Sequence, residues 1–259
     1  MPIRCASCFM AVSLLVGSAL CMPGSVQASD LGQQIALLNK SQVNSRHPDL
    51  FYRDAAISSY QAGSKERAMS LFLKAARFAD KPSQAIIATM YWNGDGVPQD
   101  RALAYAWIDL AADRGYADLL AQRERYWAQL SPDERQRATE QGRQVYAEYG
   151  DAQGLKRLDN ALRRELARAT GSRTGFGGNN VTVLLRGEAG SLLQHDDGAP
   201  VVLGGTPVRG TDYYAPALWS AAPYARLKDQ VWRLSAAEMG TVDVGPLQSL
   251  PASAGSDSK

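Results

Sequence analysis

Residues 81–116 read KPSQAIIATMYWNGDGVPQDRALAYAWIDLAADRGY, and their punctuation decides the fold. Ser83 to Trp92 is an apolar-rich run that stops at Asn93-Gly94, where a left-handed helix end is expected. Asp100 is a good N-cap residue. The stretch from Asp100 to Arg114 carries alanine, leucine, tryptophan and isoleucine at helical spacing, and Gly115 lies just past its end. Two helices of two to four turns joined by a short loop make an antiparallel hairpin.

The same pattern recurs 36 residues upstream. Lys74-Ala75-Ala76 matches Leu110-Ala111-Ala112, Ala68 matches Ala104, Leu71 matches Trp107 and Phe72 matches Ile108. Further on, Ala79 falls on Gly115 and Lys81 on Ala117. The upstream hairpin is read as a short helix over Arg53 to Gln61, ended by Gly63, and a partner over Lys65 to Ala79. Tyr116 to Leu130 opens a third unit. One hairpin cannot bury its apolar face alone, so units with a shared period stack, and alanine and glycine at matching heights let the helices approach closely.

Ser83, Ile87, Ala88, Met90, Tyr91, Gly94, Gly96, Val97, Asp100, Ala104, Trp107, Ala111, Ala112 and Gly115 together resemble one whole Sel-one-like repeat, a longer-loop relative of the tetratricopeptide repeat. The loop Asn93-Gly94-Asp95-Gly96-Val97-Pro98-Gln99-Asp100 is the most specific part of the likeness, which covers residues 81–116. The flanking units depart from the pattern. The earlier one lacks the Gly-Val loop, and the later one has Arg123 and Glu124 where Ile87 and Ala88 stood. The resemblance implies an α-solenoid over residues 50–130 that holds a segment of a partner protein in a curved groove.

The chain has 259 residues, 45% of them hydrophobic and 21% charged, with a net charge of +2. That composition argues against a membrane-embedded bundle, a disordered chain and nucleic-acid binding driven by charge. All three cysteines, Cys5, Cys8 and Cys21, lie at the N-terminus, in a segment with its own reading. Arg4 supplies a positive start, Phe9 to Leu20 an apolar run, and Val26-Gln27-Ala28 a small-residue cleavage pattern. We read residues 1–28 as a signal peptide cleaved near Ala28, with a periplasmic or secreted destination and no transmembrane span. Leu20 before Cys21 argues against lipidation. Residues 29–259 hold no cysteine, which rules out cysteine-ligated zinc, thiol catalysis and disulfides there.

Ser131-Pro132-Asp133-Glu134 is a capping box with proline at the first helical position. It opens a helix to Tyr149, and a second runs from Asp151 to Ala169. Residues 131–170 are thus expected to form an additional hairpin on or capping the solenoid. In the second helix Leu155, Leu158, Leu162 and Leu166 form one stripe. Lys156, Arg157, Arg163, Arg164 and Arg168 lie beside it, as a solvated face or a contact for acidic partners. Residues 171–250 read as a Gly/Pro/aromatic-rich extension with short strands at Val181 to Leu185 and Val201 to Leu203. Its Tyr213–Trp232 segment is expected to be extended, with aromatics docked on the solenoid or on a ligand. Residues 251–259 read as a disordered tail.

The fold expectation is therefore mainly α: a short solenoid of helical hairpins with an irregular C-terminal extension containing short strands. No catalytic, cofactor or metal site is expected. His195-Asp196-Asp197 and Asp95 read as turn sequence rather than metal ligands, and Asn180-Val181-Thr182 is a sequon by pattern alone. A hydrolase using Asp196, Asp197 or Asp212 lacks a pair at usable spacing. Candidate partner-binding residues are Trp92, Tyr213, Tyr214, Trp219 and Trp232; Trp92 reads equally as an exposed anchor or as a ring packed under the next loop. The function expected is a non-enzymatic periplasmic scaffold for a protein partner in the cell envelope. The alternative is envelope glycan binding by the C-terminal aromatics, Tyr224 included.

Overall fold

A computed structural model describes residues 28–170, 182–185, 192–194, 200–202 and 206–238. Most of the reading of the leader, His195-Asp196-Asp197, Asn180 and the tail from Pro251 onward lie outside the described residues. Two short helices, α1 (Ala28–Leu38) and α2 (Ser41–Asn44), precede the repeats. Then come α3 (Pro48–Gln61) and α4 (Lys65–Ala76), α5 (Lys81–Asn93) and α6 (Arg101–Ala112), and α7 (Ala117–Gln129) and α8 (Pro132–Tyr149). The first two pairs are antiparallel hairpins packed in succession, and α7 and α8 each lie against α6. The architecture is a helical solenoid.

Local chemistry places the helix ends. α3 starts five residues earlier than the apolar pattern suggests, because Pro48 fits the first helical position and Asp49 the first turn. Asp80 and Asp100 cap α5 and α6 by accepting from the backbone N–H of Ser83 and Leu103, at 3.2 and 3.1 Å. The capping box closes both ways at α8: Ser131 N–H donates to Glu134 at 2.9 Å, and Glu134 N–H donates to Ser131 Oγ at 3.3 Å. α4 ends at Ala76, earlier than expected, because Ala79 takes a left-handed φ of 57°. Gly115, its counterpart one period on, has φ 75°. The repeat therefore extends to the backbone turn itself.

Two large cores hold the molecule, beside a small cluster of Ala102, Leu130 and Ala138. The first runs through the hairpins, where Ala68, Ala88, Ala104 and Ala111 are fully buried beside Phe72, Ile87, Trp107 and Ile108. On α7, Leu119 and Tyr126 supply the contact, while Arg123 turns outward to Asp109 and Glu124. The second core joins the two ends of the chain. Leu37, Leu38, Val43 and Leu50 meet Leu158 and Leu162 of α9 (Asp151–Thr170) and the C-terminal helices.

Strand β1 (Thr182–Leu185) pairs antiparallel with β4 (Thr206–Arg209), and β2 (Leu192–Gln194) with β3 (Pro200–Val202). Beyond them the extended reading of the Tyr213–Trp232 segment is corrected. The chain forms α10 (Gly210–Tyr213), α11 (Pro216–Trp219) and the long helix α12 (Ala221–Glu238). Pro216 sits at the start of α11 and Pro223 in the first turn of α12, where proline costs little. Tyr224, Leu227 and Val231, spaced by three and four, are the apolar stripe, and the aromatic crowding around them hid that period. Among the described residues no helix is long and apolar enough to cross a membrane.

Candidate functional site

Helices α3, α5 and α7 bring their N-terminal ends to one side, where α12 meets them in that order. Near its start Tyr224 donates to Asp49 Oδ2 at 2.9 Å. One turn on, Lys228 Nζ sits 2.7 Å from Asp49 Oδ2 and 2.6 Å from Asp80 Oδ1. Asp229 takes Arg114 at 3.0 Å and the hydroxyl of Tyr116. Trp232 stacks on Tyr116, centroids 4.8 Å apart, and donates its N–H to Asp118 at 3.1 Å. The helix is therefore clamped to three successive units by charge as well as by packing.

The clamp is buried. Asp49 and Asp80 have no exposed surface, and burial alone would drive the Asp80 carboxyl toward the neutral form. At Asp80 burial is outweighed by Lys228 and Arg53, the latter at 3.0 Å, and the carboxyl is held at about 2. Burial, with the Asp49 charge adding to it, pushes the Tyr224 hydroxyl well above its ordinary range, so it stays a donor. A second cluster lies alongside. Lys81, 1% exposed, reaches Leu110 O at 2.8 Å and Asp151 at 3.1 Å; Arg114 reaches the same carboxylate at 2.8 Å. Burial pushes the Lys81 ammonium down. It opposes the Asp151 charge too, but there Arg114 and Lys81 prevail and lower the carboxyl.

Two hollows adjoin on this face, sharing Ile57 and Ile86. One is a cleft of about 440 Å³ between α12, α1 and the hairpins. The other, also about 440 Å³, is open and formed by α3 and α5, with Tyr60, Thr89 and Met90 on its walls and Asp95 at its edge. Ile57 and Tyr60 are 36% and 37% exposed there. Asp95 accepts from Tyr60 and Lys65, which ties the repeat loop to the preceding hairpin. Gly96 makes that approach feasible, with φ 73° and a site where a Cβ would fall 2.6 Å from Lys65 Cβ.

The five aromatic candidates do not form one surface: Tyr213 meets Tyr214 and Trp219, while Trp92 and Trp232 lie in other contacts. Tyr213 and Trp219 are interior, and Trp219 donates its N–H to Tyr213 O. Tyr214 is half-buried, edge-on to Tyr213, and Trp232 belongs to the α12 clamp. Trp92 is half-buried, stacked on Tyr126 at 3.8 Å with the Arg101 guanidinium over its ring. Asp212 accepts from Gln33 at 2.7 Å. Among the described residues no cluster of histidine, cysteine and carboxylates could hold a metal. His47 is buried, its nitrogens 2.8 and 2.7 Å from the carbonyls of Val43 and Leu218, a tie between the chain ends. The α12 clamp and the hollow at Ile57 and Tyr60 escaped the sequence reading. The usable signal was Lys228-Asp229 set inside the Tyr224–Leu227–Val231 stripe.

No curated protein and no solved structure matches the chain. The Sel1 repeat family model matches residues 60–77 and 82–116, which cover the turn into α4, that helix, and the whole α5–α6 hairpin. Repeats of this kind generally mediate protein–protein interaction. With stacked hairpins and these matches on one stretch, the molecule carries Sel1-like repeats over residues 60–116.

Proposed function

We propose that the protein is an exported, non-enzymatic scaffold that holds a protein partner of the cell envelope against the open hollow of α3 and α5. The observation that carries the reading is the exposed apolar patch of Ile57 and Tyr60, continuous with Ile86 and Thr89 on a rigid repeat face. Such patches on a stable frame are the usual form of a contact surface. The aromatic rings that favoured glycan binding are largely spent on packing: Tyr213, Trp219 and Tyr224 are 4%, 2% and 0% exposed. The hollow, not those rings, is the contact surface of this reading. Export rests on the leader-like residues 1–28 and on the absence of cysteine from residues 29–259.

The test is a photo-crosslinker, p-benzoylphenylalanine, placed at Tyr60 or at Lys156 on the exposed side of α9 in the producing cell. The reading expects a discrete protein adduct from position 60 in the periplasmic fraction and none from position 156. Equal labelling from both positions, or protein retained in the cytoplasm with its first 28 residues, contradicts it.

A further inference from the structure

The cleft beside α12 differs in kind from the open hollow. Its apolar walls come as much from flanking elements as from repeats: Ile35 and Leu38 of α1, Leu50 and Ile57 of α3, Ile86 of α5 and Val231 of α12, with Asn39, Asn44, Asp118 and Ser235 among its polar lining. At about 440 Å³ it falls within the ~300–1,000 Å³ of small-molecule pockets. Most cations around it are committed to carboxylates: Lys81 to Asp151, Arg114 to Asp151 and Asp229, and Lys228 to Asp49 and Asp80. Arg53 is committed only in part. Its Nη1 donates to Asp80 at 3.0 Å, while Nε and Nη2 have no hydrogen-bond partner among the described residues. Arg53 also lines the cleft.

We propose that this cleft binds a single-chain amphiphile of the fatty-acid type, its acyl tail between Leu38, Ile86 and Val231 and its carboxylate on Nε and Nη2 of Arg53. A guanidinium fork matches a carboxylate in two parallel hydrogen bonds. The tail carries no polar group, so its burial among aliphatic walls leaves nothing unsatisfied, and each methylene adds affinity. A peptide fits less well. An extended chain brings an N–H and a C=O per residue that need partners, and beyond Asn39, Asn44 and Asp118 the cleft offers few that are uncommitted. The site adjoins the protein-binding hollow at Ile57 and Ile86, but its test reads small-molecule binding by the purified chain and does not depend on any partner.

Calorimetric titration of the purified chain with dodecanoate and with dodecanol tests this. Dodecanoate is expected to bind at one site, about tenfold tighter than the alcohol, as two charge-assisted hydrogen bonds imply. Arg53→Met is expected to erase that preference. Arg53→Lys, which keeps the charge toward Asp80 and preserves the fold, is expected to reduce it. Ile57→Glu, at a part-exposed wall position, is expected to abolish binding of both probes with the thermal midpoint unchanged. Absence of dodecanoate binding, an acid-to-alcohol ratio unaffected by Arg53→Lys, or full binding in the Ile57→Glu variant would each overturn the proposal.

Discussion

Lys228 neutralises two carboxylates that have no access to water, so the cost of losing it follows from what stays behind. In Lys228→Met, Asp49 loses its ammonium partner and Asp80 keeps Arg53 as its one paired cation. Stranding buried charge in this way costs roughly 3–5 kcal/mol, and urea unfolding should register a loss of that size. The same cluster sets an acid limit. The Asp80 carboxyl sits at about 2 when folded, below the ordinary ~3.9, so its contribution is complete above pH ~4 and is lost as pH falls toward 2. With Lys228 gone that carboxyl rises, and the acid-unfolding midpoint of Lys228→Met, followed by circular dichroism, should move to higher pH. The repeat loop makes its own prediction. Gly96→Ala forces a side chain into a left-handed site already filled by Lys65, whereas Gly115→Ala meets open space. The first should cost at least ~2 kcal/mol and the second ~1 kcal/mol in the same urea assay.

Elements differ in how they hold α12 and its neighbours. Trp219 is 2% exposed at the end of α11, in the second core, and its truncation to alanine should cost roughly 3–5 kcal/mol. Trp232 is half-exposed, with one stacking partner and one hydrogen bond, so Trp232→Ala should cost only ~1–2 kcal/mol. Thermal unfolding of both variants checks the ranking. The hairpins were legible because their signals are local: Asp100 as a cap, Gly94 and Gly115 as stops, alanines at a fixed period. α12 was not, since aromatics such as Tyr213, Trp219 and Trp232 drew the eye away from Tyr224, Leu227 and Val231. Nor could any local rule pair Lys228 with Asp49 and Asp80, because their neighbourhood exists only once the chain's two ends have met.

At the scale of the whole molecule, a solenoid leaves its end units short of packing partners. Here the shortage at the N-terminal end is met by a second core in which α1, α2 and the start of α3 bury Leu37, Val43 and Leu50 against α9 and the C-terminal helices. His47, bridging Val43 and Leu218, spans the same seam. The hairpins and the C-terminal helices should then unfold together rather than in separate steps. α12 also decides which parts of the repeat face stay open, leaving the hollow at Ile57 and Tyr60 for a partner. Everything functional in this account depends on that helix being a fixed part of the scaffold. Hydrogen–deuterium exchange of the intact chain tests it most directly. Amides from Tyr224 to Trp232 should exchange as slowly as those in α5 and α6, and Lys228→Met should speed them. Exchange across α12 at the rate of an unprotected peptide, with α5 and α6 still protected, would contradict it.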